Sequence, residues 1–169
     1  MKLTLLKQLL ALYQQLLEKL KAQQPEIVII HHTGGSDANP MADTSHHTVN
    51  MVDKWHKQIG FNKSKLGYYV GYHYFIEKHG IVTQCRSMDE MGCHTVGQND
   101  KIGICLAGNF DATLPTEEQT RSLKNLLEVI RYIKGKNIKP VPHRKFAPHK
   151  SCYGSKLPDD WAENLIIKK

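Results

Sequence analysis

The chain is poor in cysteine, arginine and aromatic residues: 4 cysteines, 2 tryptophans, 4 phenylalanines and 7 tyrosines in 169 residues. The cysteines stand at 85, 93, 105 and 152 and form no Cys-x-x-Cys pair, which removes zinc-finger and thioredoxin-like readings. They are too sparse for a disulfide scaffold. Cys85 and Cys93 flank one loop and fit either a local disulfide or two free thiols. Cys105, inside Ile102-Gly103-Ile104-Cys105-Leu106, reads as a small buried hydrophobe. No stretch approaches the roughly 18 apolar residues that a membrane-spanning helix needs. Lysine far outnumbers arginine, and no basic cluster is interleaved with aromatics, so the footprint of a nucleic-acid binder is missing. Internal repeats and low-complexity segments are absent as well.

What is present is an ordinary globular mix, 40% hydrophobic and 23% charged, of a length suited to one domain with a short appendage. The net charge of +7 is uneven: +3 over 1–25, −1 over 26–135 and +5 over 136–169. A basic balance calls for an acidic partner, whether nucleic acid, anionic membrane or an anionic polymer such as cell wall.

Residues 3–22 read as one leucine-rich helix. With Leu6 at heptad position a, leucine or tyrosine fills a (Leu6, Tyr13, Leu20), d (Leu9, Leu16), e (Leu3, Leu10, Leu17) and g (Leu5, Leu12). That face is wider than a two-stranded seam needs. It fits packing on its own domain or self-association into a homo-oligomer through residues 3–22. It fits a membrane surface less well, because its polar face is rich in glutamine rather than lysine. Lys7, Gln8, Gln14 and Gln15 interrupt every apolar run and no small-residue cleavage site follows, so the segment is not read as a signal peptide. The expected organisation is an amphipathic helix over 1–24 and a catalytic domain over 25–169.

Glu26-Ile27-Val28-Ile29-Ile30 reads as a strand buried on both faces. Thr48 to Ile59 has helical spacing, with Gly60 as its stop. Val70 to Ile76 and Ile81 to Gln84 flank a hairpin signal at Lys78-His79-Gly80. Lys101 to Leu106 is a further strand. Thr116 to Gln119 fits a capping box opening a helix that runs to Gly135. Asp159 to Ile166 reads as a closing helix. Strands alternate with helices but a hairpin intervenes, which predicts an α/β fold with a mixed central sheet flanked by helices.

Ten histidines are the main chemical signal. His31 and His32 end the buried strand, where α/β sheets collect ligands, and strand alternation lets at most one of them face a given site. His143 and Cys152 bracket a proline-containing loop. One strand-end histidine with His143 and Cys152 makes a His, His, Cys set whose three ligands leave the fourth tetrahedral position of a zinc ion open. Lys150 places a cation beside it. His46, His47, His56 and His79 read as surface residues and His73 as a structural histidine. Trp55 and Trp161 read as core more readily than as glycan platforms.

Five blocks in order carry a resemblance: Ile29-Ile30-His31-His32-Thr33, Gly71-Tyr72-His73-Tyr74-Phe75-Ile76, Gly92-Cys93-His94-Thr95-Val96-Gly97, Ile102 to Gly108, and His143 to Cys152. Over residues 26–167 the chain resembles the zinc-dependent N-acetylmuramoyl-L-alanine amidases, a family that includes phage lysozyme-like amidases and peptidoglycan recognition proteins, with the phage pattern the nearer. The resemblance implies one Zn2+ held by His31, His143 and Cys152, a catalytic Tyr72 and a catalytic Lys150. It places His94 beside the substrate or behind a ligand. The glutamate that some amidases of this fold carry in the Ile-Gly-Ile strand is replaced by Cys105. His149 is an extra residue before Lys150, read as part of a turn.

The implied activity is hydrolysis of the amide between N-acetylmuramic acid and the L-alanine of the stem peptide in peptidoglycan. The alternative is a recognition module that binds peptidoglycan without cutting it, as family members lacking the cysteine do. A protein of the first kind is expected to be made in the cytoplasm and to act on the wall after release or export.

Overall fold

The computed structural model describes residues 2–23, 25–135 and 137–167. Its elements run α1 (Lys2–Gln23), β1 (Glu26–His32), α2 (Val49–Gln58), β2 (Tyr74–Ile76), β3 (Val82–Gln84), β4 (Ile102–Leu106), α3 (Glu117–Lys134), β5 (Ile138–Pro142), a 3-10 turn (His143–Lys145) and α4 (Trp161–Ile167). The five strands form one sheet in the order β3-β2-β4-β1-β5. Among the described residues only the β2–β3 hairpin is antiparallel. The mixed sheet flanked by helices is therefore as the alternation of elements implies.

β1 lies between β4 and β5, so both of its edges are paired, and Val28, Ile29 and Ile30 are wholly buried. Even-numbered residues of β1 face α3 and α4, where Val28 and Ile30 join Ile104, Leu106, Leu123, Leu127 and Ile130. The other face holds Phe75, Cys105 and, from α2, Val52. Burying each such aliphatic side chain contributes about 1.5–3 kcal/mol. α3 begins as its sequence dictates: Thr116 caps the Gln119 amide, the Gln119 side chain returns to Thr116 N, and Gly135 ends the helix in the left-handed region.

β5 contains Pro140 and Pro142, residues that strands seldom hold. Their placement explains the exception. The Asn137 carbonyl accepts from Glu26 N, so odd-numbered residues of β5 turn their polar groups toward β1 and even-numbered residues turn outward. Both prolines occupy outward positions on the sheet's edge, where no amide is needed. There they deny a pairing partner to other strands.

Two sequence expectations are corrected. Trp55 is 56% exposed, since α2 turns Val52 and His56 inward and leaves Trp55 on its outer flank; Trp161 does pack against the core. His56 is 3% exposed rather than on the surface, its ring lying against Phe61 and Tyr72. Along α1, Leu6, Leu9, Leu10, Leu12, Tyr13 and Leu16 are exposed, so this helix does not pack on its own domain through them. The side chains of Leu3, Leu5 and Leu20, and Gln24 at the expected boundary, lie outside the described residues. No helix among those described is long and apolar enough to cross a membrane.

Candidate metal centre

Sheet register assembles the first two members of the site. Ile30 of β1 pairs with Pro142, the last residue of β5, so the residues that follow, His31 on β1 and His143 opening the 3-10 turn, meet at the carboxyl end of the sheet with ring centroids 4.5 Å apart. His31 belongs to the α2 face and His32, one residue on, to the opposite face, as strand alternation requires. The chain then turns through residues 143–152 and brings Cys152 Sγ to 3.7 Å from His31 Nδ1. The ligand atoms of His31, His143 and Cys152 all lie within 4.8 Å of one another, and all three residues are buried.

The chemistry of these donors fits a zinc ion. Burial holds the His31 and His143 imidazoles neutral, His31 far below its ordinary pKa and His143 at about 4, with Lys150 adding to the effect at His143. Neutral imidazole is the ligating form. Burial pushes the Cys152 thiol up to about 12, while the His32 amide, donating to Sγ at 3.4 Å, favours the thiolate.

Hydrogen bonding selects the His31 nitrogen that faces the metal position. The Lys101 carbonyl lies 3.0 Å from His94 Nε2, so Nε2 donates and Nδ1 is left as acceptor. His31 Nε2 lies 3.1 Å from that Nδ1 and donates to it, which leaves His31 Nδ1 free on the side of Cys152. His94 thus touches a ligand rather than open cleft, and Thr95 Oγ1 supports both rings. Two glycines make room for it. A Cβ at Gly92 or Gly103 would come within 2.5–2.6 Å of the His94 ring, which accounts for both glycine-containing motifs. Losing such an outer partner lowers metal affinity about 10–100-fold. We expect His94→Ala to show that loss in zinc competition against a chromogenic chelator, and Gly103→Ala to reproduce it by displacing the ring. Unchanged affinity in both would refute this role.

Tyr72 sits in an irregular segment before β2, its ring centroid 5.0 Å from that of His31. The expected strand from Val70 begins only at Tyr74 because residues 70 and 71 bond away from the sheet, Val70 N donating to Asp53 Oδ1 and Gly71 N to His56 Nδ1, while His73 N already reaches the Gly103 carbonyl of β4. Burial, with the thiols of Cys105 and Cys152 nearby, raises the Tyr72 hydroxyl well above its ordinary value, so it is a proton-bearing donor. Cys105 is wholly buried, as expected. His73 is the structural histidine expected, bonded at both nitrogens to Gly103 N and the Glu90 carbonyl.

Lys150 is exposed on the turn after Pro148, and its charge reaches His31, His143 and Cys152. His149 is exposed within that turn. Cys85 and Cys93 are free thiols, Cys93 donating to Asn62 Oδ1.

Three positioning residues escaped the sequence reading because none carries a motif. Arg144 braces the loop, donating to the carbonyls of Ser151, Gly154 and Leu157 and pairing with Asp159. Asp111 accepts from Ser151 Oγ and Ser155 N on either side of Cys152. Arg86, wholly buried, donates to the carbonyls of Asn62, Val70 and Met91 and so fixes the segment leading to Tyr72. The basic residues of 136–169 therefore do not all crowd the cleft. Arg144 is committed to structure, and with Lys139 and Lys145 it lines a groove on the β5 edge beside Asp159, Asp160 and Glu163.

Comparison with known proteins agrees with this geometry. The profile of the N-acetylmuramoyl-L-alanine amidases matches residues 21–156. The endolysin of Escherichia phage T7 is 32% identical over 126 residues, 70% of this chain and 78% of its own length. Peptidoglycan-recognition protein SD of Drosophila melanogaster is 29% identical over 151 residues, 89% of this chain and 75% of that protein. Among solved structures, N-acetylmuramoyl-L-alanine amidase LysC from Clostridium intestinale is similar with a TM-score of 0.63 at 26% identity, over 83% of this chain and 82% of that one. With most of its length matched, the chain belongs to the N-acetylmuramoyl-L-alanine amidase family, the family of enzymes that hydrolyse amide bonds of peptidoglycan and of recognition proteins that share their fold.

Proposed function

We propose that residues 25–169 are a zinc-dependent amidase that cleaves the bond between N-acetylmuramic acid and the L-alanine of the stem peptide. The observation that carries this reading is the buried His31, His143 and Cys152 cluster, with Tyr72 directly beside it. His31, His143 and Cys152 would hold the zinc ion, whose chemistry when bound would be that of a Lewis acid that polarises the scissile carbonyl and makes water more acidic.

The chain's own groups do the remainder. The Tyr72 hydroxyl keeps its proton and donates a hydrogen bond to the carbonyl oxygen as negative charge builds there. Lys150 stabilises the same charge from the exposed side. His94 holds His31 in the ligating tautomer. No carboxylate occupies the strand position of Cys105, so Tyr72 and Lys150 carry the stabilisation alone. The partner is an anionic glycopeptide wall rather than nucleic acid, reached after release or export from the cytoplasm.

The test is zinc content together with turbidity loss of a wall suspension, with and without chelator. One donor to a developing oxyanion is worth roughly 3–4 kcal/mol, a hundredfold to a thousandfold in rate. Tyr72→Phe is expected to keep zinc and lose activity by that factor; wild-type clearing by this variant would remove Tyr72 from the mechanism. Zinc-free protein that binds the wall without clearing it would favour the non-catalytic peptidoglycan-binding module instead, and clearing that ignores chelator would refute the zinc-dependent reaction.

A further inference from the structure

Among the described residues, most of the apolar face of α1 has no cover, Leu17 alone being half-buried. Leu6, Leu9, Leu10, Leu12, Tyr13 and Leu16 are each 54–64% exposed. They occupy heptad positions a, d, e and g, which together make one side of the helix. Lys7, Ala11, Gln14 and Gln15, at the other positions, are also exposed. Six large side chains left more than half in water amount to several hundred Å2 of continuous apolar surface. A soluble monomer seldom shows a patch beyond about 300–600 Å2. That area also approaches the roughly 800 Å2 per partner that a standard protein interface buries.

We propose that α1 associates with α1 of further copies of this chain, forming a bundle on the order of three to four helices. The width of the face sets this number. A two-stranded seam uses positions a and d alone, and a dimer would leave Leu10 and Leu12 in water. The polar side selects this occupant over a lipid surface. Its described residues are Lys7, Ala11, Gln14 and Gln15, with one charge among them, so neighbouring helices repel little, whereas a helix lying on anionic lipid draws its binding from several lysines and arginines there. The sheet offers no rival route on its β5 side, since Pro140 and Pro142 close that edge. The assembly would present several metal centres to one polymer, and linked sites gain avidity without any new contact.

Light scattering on the full-length protein tests this independently of catalysis. The wild-type particle mass is expected to correspond to several chains, and that of Leu9→Glu/Leu16→Glu to one. The variant's hydrolysis of a soluble muramoyl peptide and its melting temperature are expected to match wild type, because neither residue touches the globular domain's core. A monomeric wild-type protein, or a double variant that keeps the wild-type mass, would overturn the proposal. So would wild-type protein that is monomeric in buffer and co-sediments with phosphatidylglycerol vesicles.

Discussion

Substituting Cys152 by serine is expected to lower wall clearing by at least about a thousandfold, because it removes the ligand that makes the site a zinc site. The reasoning starts from protonation. Burial pushes the Cys152 thiol up to about 12, so a metal must displace that proton as it binds, and the cost grows as pH falls. A thiol meets that demand near neutral pH, and a serine hydroxyl, far less acidic, does not. The fold has little reason to fail. A hydroxyl can accept from His32 N where Sγ now does, and the loop around it is held by Arg144 and Asp111 through other residues. The expected outcome is a protein with a near-wild-type melt in chelator, a small fraction of the wild-type zinc content and no clearing. If the serine variant kept both zinc and clearing, Cys152 would not be a ligand. If it sedimented with insoluble peptidoglycan without cutting it, the substitution would have converted the enzyme into a recognition module.

How far the sequence could be read depended on whether a residue's role is local. The buried strand Glu26 to His32 declares itself by composition, and the alternation of His31 and His32 follows from strand geometry alone. The capping box at Thr116 is equally local and was found as read. The metal cluster needed more. His31, His143 and Cys152 converge only because β5 pairs with β1, and β5 is the strand its prolines hide. Without resemblance to a family, spacing alone made that cluster a moderate signal.

Other roles depend on neighbours that a single sequence does not show. Tyr72 looks like a strand residue, yet it occupies an irregular segment held by Arg86, fourteen positions later. His56 and Trp55 are adjacent on one helix, and periodicity placed the wrong one inside, because Phe61 and Tyr72 rather than an aliphatic layer line the pocket under α2. His94 could be placed beside the substrate or behind a ligand, but the choice between the two stayed open, since its tautomer is decided by the Lys101 carbonyl. The overall charge misleads in the same way, for Arg144 spends its guanidinium on three backbone carbonyls and one carboxylate.

Acidification is expected to unfold the metal-free protein between about pH 6.5 and pH 4, and buried histidines are the cause. His32, His56 and His73 are each almost wholly buried. Each accepts at Nδ1 a hydrogen bond from a backbone amide, of Phe110, Gly71 and Gly103 in turn. A backbone amide can only donate, so each ring must be neutral at Nδ1, and a proton there would both break the bond and bury a charge. Desolvation accordingly lowers His32 and His56 to about 4 and His73 below its ordinary value. In the unfolded chain all three titrate near 6.5. Between those values the unfolded state binds more protons than the folded one, so stability falls as pH falls through the window and levels off below about pH 4. A histidine shifted by that much represents about 3 kcal/mol, and two of them consume much of the roughly 5–15 kcal/mol that holds a domain together. Urea midpoints measured in chelator at intervals from pH 7.5 to 4.5 should drop steeply below pH 6.5. His56→Asn keeps an acceptor for Gly71 N and removes one titrating group, so its curve should be shallower by up to about 3 kcal/mol across the window. A wild-type midpoint that stays level to pH 4.5 would mean these rings are protonated or exposed in the folded protein, contrary to the bonds they make.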